Sequence, residues 1–263
     1  MIKLFNSVVV LYTIYFYTLV KNLTTIMAMA LNADENYNSI SEVLARGFIA
    51  LAGDSHAREV SRWMRPLLDA NDYGGLRLHQ SNGNEQGFVR GGITSFQYYQ
   101  SAWYNQLKVS SANLIALLIG GNDIDSEHPQ KPEDVYKEII KMYNELTALG
   151  KIVFIIESPR RFTVRVSSLD NDDQEKQNVA YLAYEKRRKR LALLLSRGFK
   201  GRFISLPSCF FNFVCFKKQW GNQYVHLKDE YYRELADVIF KQLQKDLSEK
   251  KTPPSTINPY SKD

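Results

Sequence analysis

The sequence predicts an α/β protein: a three-layer α/β/α sandwich around a parallel sheet of about five strands. Continuous apolar runs at residues 48–52, 114–119 and 152–156 read as strands covered on both faces. Amphipathic stretches of helical length separate them. Strands alternating with such helices need right-handed crossovers, which make neighbouring strands parallel. Neither a repeat nor a linker breaks the pattern between about residues 47 and 247, which reads as one domain.

Taken in order, Phe48-Ile49-Ala50-Leu51-Ala52 is a buried strand stopped by Gly53. His56 to Leu68 has helical spacing through Val60, Trp63 and Leu67. A weaker strand, Leu76-Arg77-Leu78-His79, follows Gly74-Gly75. Phe96 to Leu107 is expected to form a helix with Phe96, Tyr99, Trp103 and Leu107 on one face. Leu114 to Ile119 is the clearest strand. Pro132 to Leu149 reads as a helix, with Pro132 in its first turn and Gly150 just past its end. Ile152 to Ile156 is a strand, Val179 to Leu195 a long helix, Phe203 to Leu206 a short strand and Asp229 to Leu247 the closing helix.

Composition bounds the function more weakly. Hydrophobic residues make up 44% and charged residues 24% of 263 positions, which excludes a disordered or collagen-like chain. Two cysteines, Cys209 and Cys215, cannot build a disulfide scaffold. Lys and Arg outnumber Asp and Glu by 34 to 28, well short of a dedicated nucleic-acid binder. Lys3, Lys21 and the run Lys186-Arg187-Arg188-Lys189-Arg190 account for the whole excess, so the body is close to neutral. Five consecutive cations wrap around a helix; a solvated surface is their commoner use, and a nuclear-localisation or nucleic-acid patch is the alternative.

The ends are unlike the body. A basic start, an uncharged run over residues 4–20 and Ala28-Met29-Ala30 make residues 1–30 read as a secretory signal or a membrane anchor. A start at Met27 or Met29, which leaves no leader, is the third reading. Secreted or membrane-anchored is favoured over cytoplasmic, with membrane contact through residues 4–20. Residues 248–263, with two prolines and no apolar periodicity, read as a disordered tail.

In a parallel sheet, chemistry collects beyond the carboxyl ends of the strands. The first strand ends in Gly53-Asp54-Ser55-His56, with Ser55 at a helix start where unpaired N–H groups favour negative charge. Further on stands Arg90-Gly91-Gly92-Ile93-Thr94, whose glycines let backbone N–H groups approach a ligand. The strongest strand runs into Gly120-Gly121-Asn122-Asp123, and Val225-His226-Leu227 precedes the last helix. Singly, each has a plainer reading: an N-cap serine, glycine turns, an Asx-turn, a surface histidine. Their order along the chain, each at a strand-to-helix junction, favours a site.

That ordered set resembles the SGNH (GDSL-like) hydrolase family from Gly53 to about Leu247. Gly53-Asp54-Ser55 resembles its first block, Gly91-Gly92-Ile93-Thr94 its second and Gly120-Gly121-Asn122-Asp123 its third. His226 followed by Leu-Lys-Asp-Glu-Tyr-Tyr resembles its last. The resemblance implies an SGNH/flavodoxin-like sheet, Ser55 as nucleophile and His226 as base. It also implies an oxyanion hole from Ser55 N–H, Gly92 N–H and Asn122, supported by Gly53, Asp54, Gly91, Gly120 and Asp123. Gly91 is the alternative to Gly92. A hydroxyl needs a neighbouring base to become a nucleophile, and a tetrahedral intermediate needs preorganised donors. The G-x-S-x-G elbow of α/β-hydrolases is absent, because Ala57 stands where its second glycine would be.

One position departs from the family, whose last block usually reads Asp-x-x-His. Here Gln223 stands three residues before His226 as a possible third member, and it cannot stabilise an imidazolium by charge. In trypsin-type enzymes, changing that Asp to Asn costs about 10⁴ in rate. A Ser-His dyad, help from a backbone carbonyl or a weakened relative all fit; Asp229 is a remote substitute.

No cofactor is expected and no metal: the four histidines show no H-E-x-x-H, the two cysteines lack paired zinc spacing, and Glu175 stands where the calcium loop suggested by Asp170-Asn171-Asp172-Asp173 needs glycine. The expectation is an SGNH-type esterase or deacylase cleaving a small-molecule, glycan or lipid ester through a Ser55 acyl-enzyme. The alternatives are a catalytically inactive binding module of the same fold, or an acyltransferase using the same residues.

Overall fold

The computed structural model describes residues 48–70, 77–78, 88–125, 129–161, 174–211 and 226–248. The proposed leader, Gln223, Cys215 and the tail beyond residue 248 lie outside the described residues. Among the described residues, no helix is long and apolar enough to cross a membrane.

Among the described residues, six strands form one parallel sheet: β1 (Phe48–Gly53), β2 (Arg77–Leu78), β3 (Phe88–Val89), β4 (Ala112–Leu118), β5 (Ile152–Ile156) and β6 (Phe203–Ile204). Their order is β2-β1-β4-β5-β6, with β3 also paired to β1. The registers show how six strands fill five positions. β2 lies beside Phe48 and Ile49, while β3 lies further along the same edge, beside Ala52 and Gly53. Phe88 and Val89 stand as a lone apolar pair between Gly87 and Arg90, with no alternation to mark a strand, and the sequence reading missed β3.

Seven helices among the described residues cover the sheet: α1 (Ser55–Ala70), α2 (Ser95–Tyr99), α3 (Ala102–Val109), α4 (Gly121–Ile124), α5 (Pro132–Ala148), α6 (Gln174–Gly198) and α7 (Asp229–Ser248). Successive strand side chains point to opposite faces, so each strand feeds two cores. Ile49, Leu51, Leu114, Ala116, Leu118, Phe154 and Ile156 pack against α1 and α7. Ala50, Ala52, Ile115, Leu117, Val153 and Ile155 pack against α3, α5 and α6. Each fully buried Leu, Ile or Phe contributes roughly 1.5–3 kcal/mol, so the central strands hold both layers.

The helical faces differ in two places from the expected ones. In α1 the buried stripe is Ala57, Val60, Met64 and Leu68, while Trp63 and Leu67 lie at its rim. Residues 96–107 do not form one helix. Ser101 Oγ accepts from the Tyr104 N–H and caps a new start, so α2 and α3 bury Tyr98, Tyr104 and Leu107 and leave Phe96 47% exposed. α5 follows its sequence signals, with Pro132 first, Glu133 and Asp134 in its first turn, and Gly150 at φ +76° beyond its end.

The basic run on α6 is not a solvated face. Arg188 is buried and bonds Glu157 Oε1 at 3.0 Å and Glu185 Oε1 at 2.9 Å. Arg187 Nε donates to the Ile124 carbonyl at 3.0 Å, and Arg190 pairs with Glu133 at 2.7 Å. Because consecutive residues turn about 100°, three arginines point at three neighbouring elements, and Lys186 and Lys189 take the solvent side.

Candidate active site

The turn after β1 fixes the first residue of interest. Gly53 has φ +127°, and a Cβ there would stand 1.9 Å from the Leu118 carbonyl oxygen of β4. Only glycine lets the chain pass that close, and the Asp54 N–H then donates to the same oxygen at 3.1 Å. Asp54, not Ser55, caps α1: its Oδ1 accepts from the His56 N–H at 2.9 Å. The Ser55 hydroxyl is thereby spared the capping role and meets His226 Nε2 at 2.8 Å, across 171 residues of sequence. His226 stands three residues before α7, and α7 packs on α1.

The second block lies beside Ser55, and the third bonds to the second. Gly92 has φ +72° and open space at its Cβ position, whereas Gly91 lies against Ser55 and Arg58. Asn122 is buried in α4, and its Nδ2 donates to the Ile93 carbonyl at 2.9 Å, which leaves the second Nδ2 hydrogen unspent. Gly120 takes a left-handed conformation at φ +104° ahead of α4. Asp123 reaches back to α2: its carboxylate accepts the Ser95 N–H at 2.9 Å and the Ser95 Oγ–H at 2.6 Å. That link ties the Gly91–Gly92 turn to the end of β4. The Arg90 N–H donates to the Gly53 carbonyl at 3.0 Å, which holds the chain entering the Gly91–Gly92 turn against the end of β1.

Two buried groups escaped the sequence reading. Arg161, beyond the end of β5, is 1% exposed; its NH2 donates to Asn122 Oδ1 at 2.9 Å and its NH1 pairs with buried Asp125. An arginine has donors only, so Asn122 must turn its oxygen to Arg161 and its NH₂ toward the turn. Arg161 stands five residues beyond Ile156, after Glu157, Ser158, Pro159 and Arg160, so no local pattern marked it. The second group is His56, whose Nδ1 shares a 2.7 Å hydrogen bond with Tyr232 Oη and whose ring meets His226 edge-on at 5.2 Å. The predicted third member, Gln223, lies outside the described residues, and Asp229 is exposed at the start of α7.

Burial sets the electrostatics. Desolvation holds the His56 imidazole well below its ordinary range, helped by the nearby His226 and Arg161, so it stays neutral. The Asp54 carboxyl is pushed up to about 6 by burial, with Arg161 pulling the other way. Asp123 is raised for the same reason, opposed by its bonds from Ser95. Among the described residues, no three His, Cys, Asp or Glu side chains converge as metal ligands.

No protein-family model matches the chain, and no curated protein matches it. Solved structures do. A lipase/acylhydrolase from Enterococcus faecalis is similar over 79% of this chain and 100% of its own, at 10% identity and a TM-score of 0.53. A carbohydrate esterase family 3 protein from Talaromyces cellulolyticus matches 78% of this chain and 100% of its own, at 11% identity and 0.53. Est24, a carbohydrate acetylesterase from Sinorhizobium meliloti, matches 76% and 99%, at 14% identity and 0.51. At these identities the likeness is one of fold, and the fold is that of SGNH-type hydrolases.

Proposed function

We propose that the chain is an SGNH-type serine esterase that cleaves an acyl ester through an acyl-enzyme on Ser55. The observation that carries this reading is the 2.8 Å contact between Ser55 Oγ and His226 Nε2 at the carboxyl end of the sheet. His226 takes the hydroxyl proton as Oγ attacks the ester carbonyl. The resulting oxyanion is met by the Ser55 and Gly92 N–H groups and the unspent Nδ2 hydrogen of Asn122, donors of the kind that contribute roughly 3 kcal/mol each. His226 then returns the proton to the leaving alcohol, and a water activated by the same ring releases the acid and restores Ser55. Neighbours of the same fold are esterases and acylhydrolases, which supports ester chemistry on a small-molecule or carbohydrate substrate.

The test is labelling by a fluorophosphonate probe together with turnover of a short-chain aryl ester. The expected result is stoichiometric modification at Ser55 and loss of both signals in Ser55→Ala. Ester hydrolysis that survives Ser55→Ala, or a chain that neither labels nor turns over, overturns the reading and leaves a binding module of the same fold.

A further inference from the structure

We infer that the substrate carries an oxyanion, a carboxylate or phosphate, close to the scissile ester, and that Arg58 receives it. The inference rests on the esterase reading of Ser55 and adds the class of substrate. Ser55 and Arg58 lie three residues apart on α1, so they share one helical face. Between their side chains stands Gly91. A Cβ at Gly91 would lie 3.8 Å from Ser55 Cβ and 3.8 Å from Arg58 NH1. Gly91 is not among the positive-φ glycines, so its backbone does not require glycine. What its missing side chain leaves is a gap with the Ser55 side chain, at its Cβ, on one side and the guanidinium on the other. A group seated over Gly91 touches both.

Arg58 is also prepared to bind. Its Nε and NH2 both donate to Glu59 Oε1 at 3.3 Å, which fixes the plane of the guanidinium and turns NH1 toward the gap. Glu59 does not need this arginine for neutralisation, because its other oxygen accepts from Arg62 NH1 at 2.9 Å. Two guanidiniums on one carboxylate leave a net positive charge beside Ser55. The positive end of α1 adds to it. Exposed Arg90, stacked 5.0 Å over Trp103, brings another cation to the strand end that leads into Gly91. Two carboxylates of the site are engaged elsewhere: Asp54 caps α1, and Asp123 is held by Ser95.

The experiment compares kcat/KM for matched esters. 4-Nitrophenyl hydrogen succinate against 4-nitrophenyl butyrate places a carboxylate on the acyl side. 3-Acetoxybenzoate against its methyl ester places one on the alcohol side, and acetyl 4-nitrophenyl glycerophosphate against acetyl 4-nitrophenyl glycerol tests phosphate. In the natural protein, at least one anionic ester is expected to be preferred by roughly 10–100-fold, the worth of a charged hydrogen bond. Arg58→Gln is expected to remove that ratio and Arg58→Lys to keep part of it. Arg62→Gln, which leaves the Glu59 carboxylate to Arg58 alone, is expected to lower the ratio less than Arg58→Gln does. A ratio near one in the natural protein, or one indifferent to Arg58→Gln, overturns the inference. A binding arm separates it from the esterase reading. N-(4-nitrophenyl)succinamate and the neutral butanamide are titrated calorimetrically into Ser55→Ala with and without Arg58→Gln. Tighter, Arg58-dependent binding of the anion with no ester turnover supports the anion site while the esterase reading fails; equal binding of the two amides overturns the anion site.

Discussion

Asn122 and Arg161 show how a residue distant in sequence can set the direction of a donor. Arg161 bonds the amide oxygen of Asn122, so the NH₂ is fixed before any substrate arrives. Arg161→Met takes the guanidinium away from buried Asp125, a change worth about 3–5 kcal/mol of stability. Replacing both as Arg161→Met with Asp125→Leu is expected to recover most of that, because an apolar pair of similar volume costs little. Turnover is not expected to recover: kcat falls toward the loss from removing an oxyanion donor, about 10²–10³-fold, with KM little changed. Denaturation curves and steady-state kinetics on the single and double variants check this. Asp54 gives a pH signature. Its folded pKa of about 6 lies above its ordinary 3.8, so its contribution is favourable below the lower value and is lost as pH rises through the upper one. Asp54→Asn does not titrate, so its stability gain over the natural protein should be near zero at pH 3.5. The gain should grow through pH 4–6 and level off at about 3 kcal/mol above that. A gain that does not change with pH would contradict the assignment.

At the scale of elements, the junction between β1 and α1 concentrates the constraints. Gly53→Ala would press a Cβ into the Leu118 carbonyl and hold alanine at a strongly positive φ. Loss of at least about 3 kcal/mol and of the β1–β4 register at that end is expected, measured as a lowered Tm and faster amide exchange at Asp54. Much of this junction was legible beforehand, because an apolar run stopped by Gly-Asp-Ser needs no tertiary information to read. The break between α2 and α3 was legible in principle: Ser101 and the Thr94–Gln97 capping box are local signals. The inward direction of Arg161 and Arg188 was not, since a buried arginine is decided by the carboxylates other elements bring to it. The contact of Ser55 with His226 stands between these cases. Each residue was visible at its own strand-to-helix junction, but only the packing of α7 on α1 sets their distance.

For the molecule as a whole, the sheet couples its two layers, since adjacent residues of β1, β4 and β5 feed opposite cores. Trp63 packs at the rim of one core and Trp103 at the rim of the other. Variants keeping one of these as the sole tryptophan should give coincident urea transitions by fluorescence. Two separated midpoints would mean that the layers unfold independently. The sheet's margins carry a last consequence. Beyond β5 the sheet ends in β6, a strand of two residues that stops before Ser205. Unpaired strand edges are templates on which other chains assemble. With the long apolar strands β4 and β5 enclosed by their neighbours and only a short stub beyond β5, that margin offers little for another chain to extend.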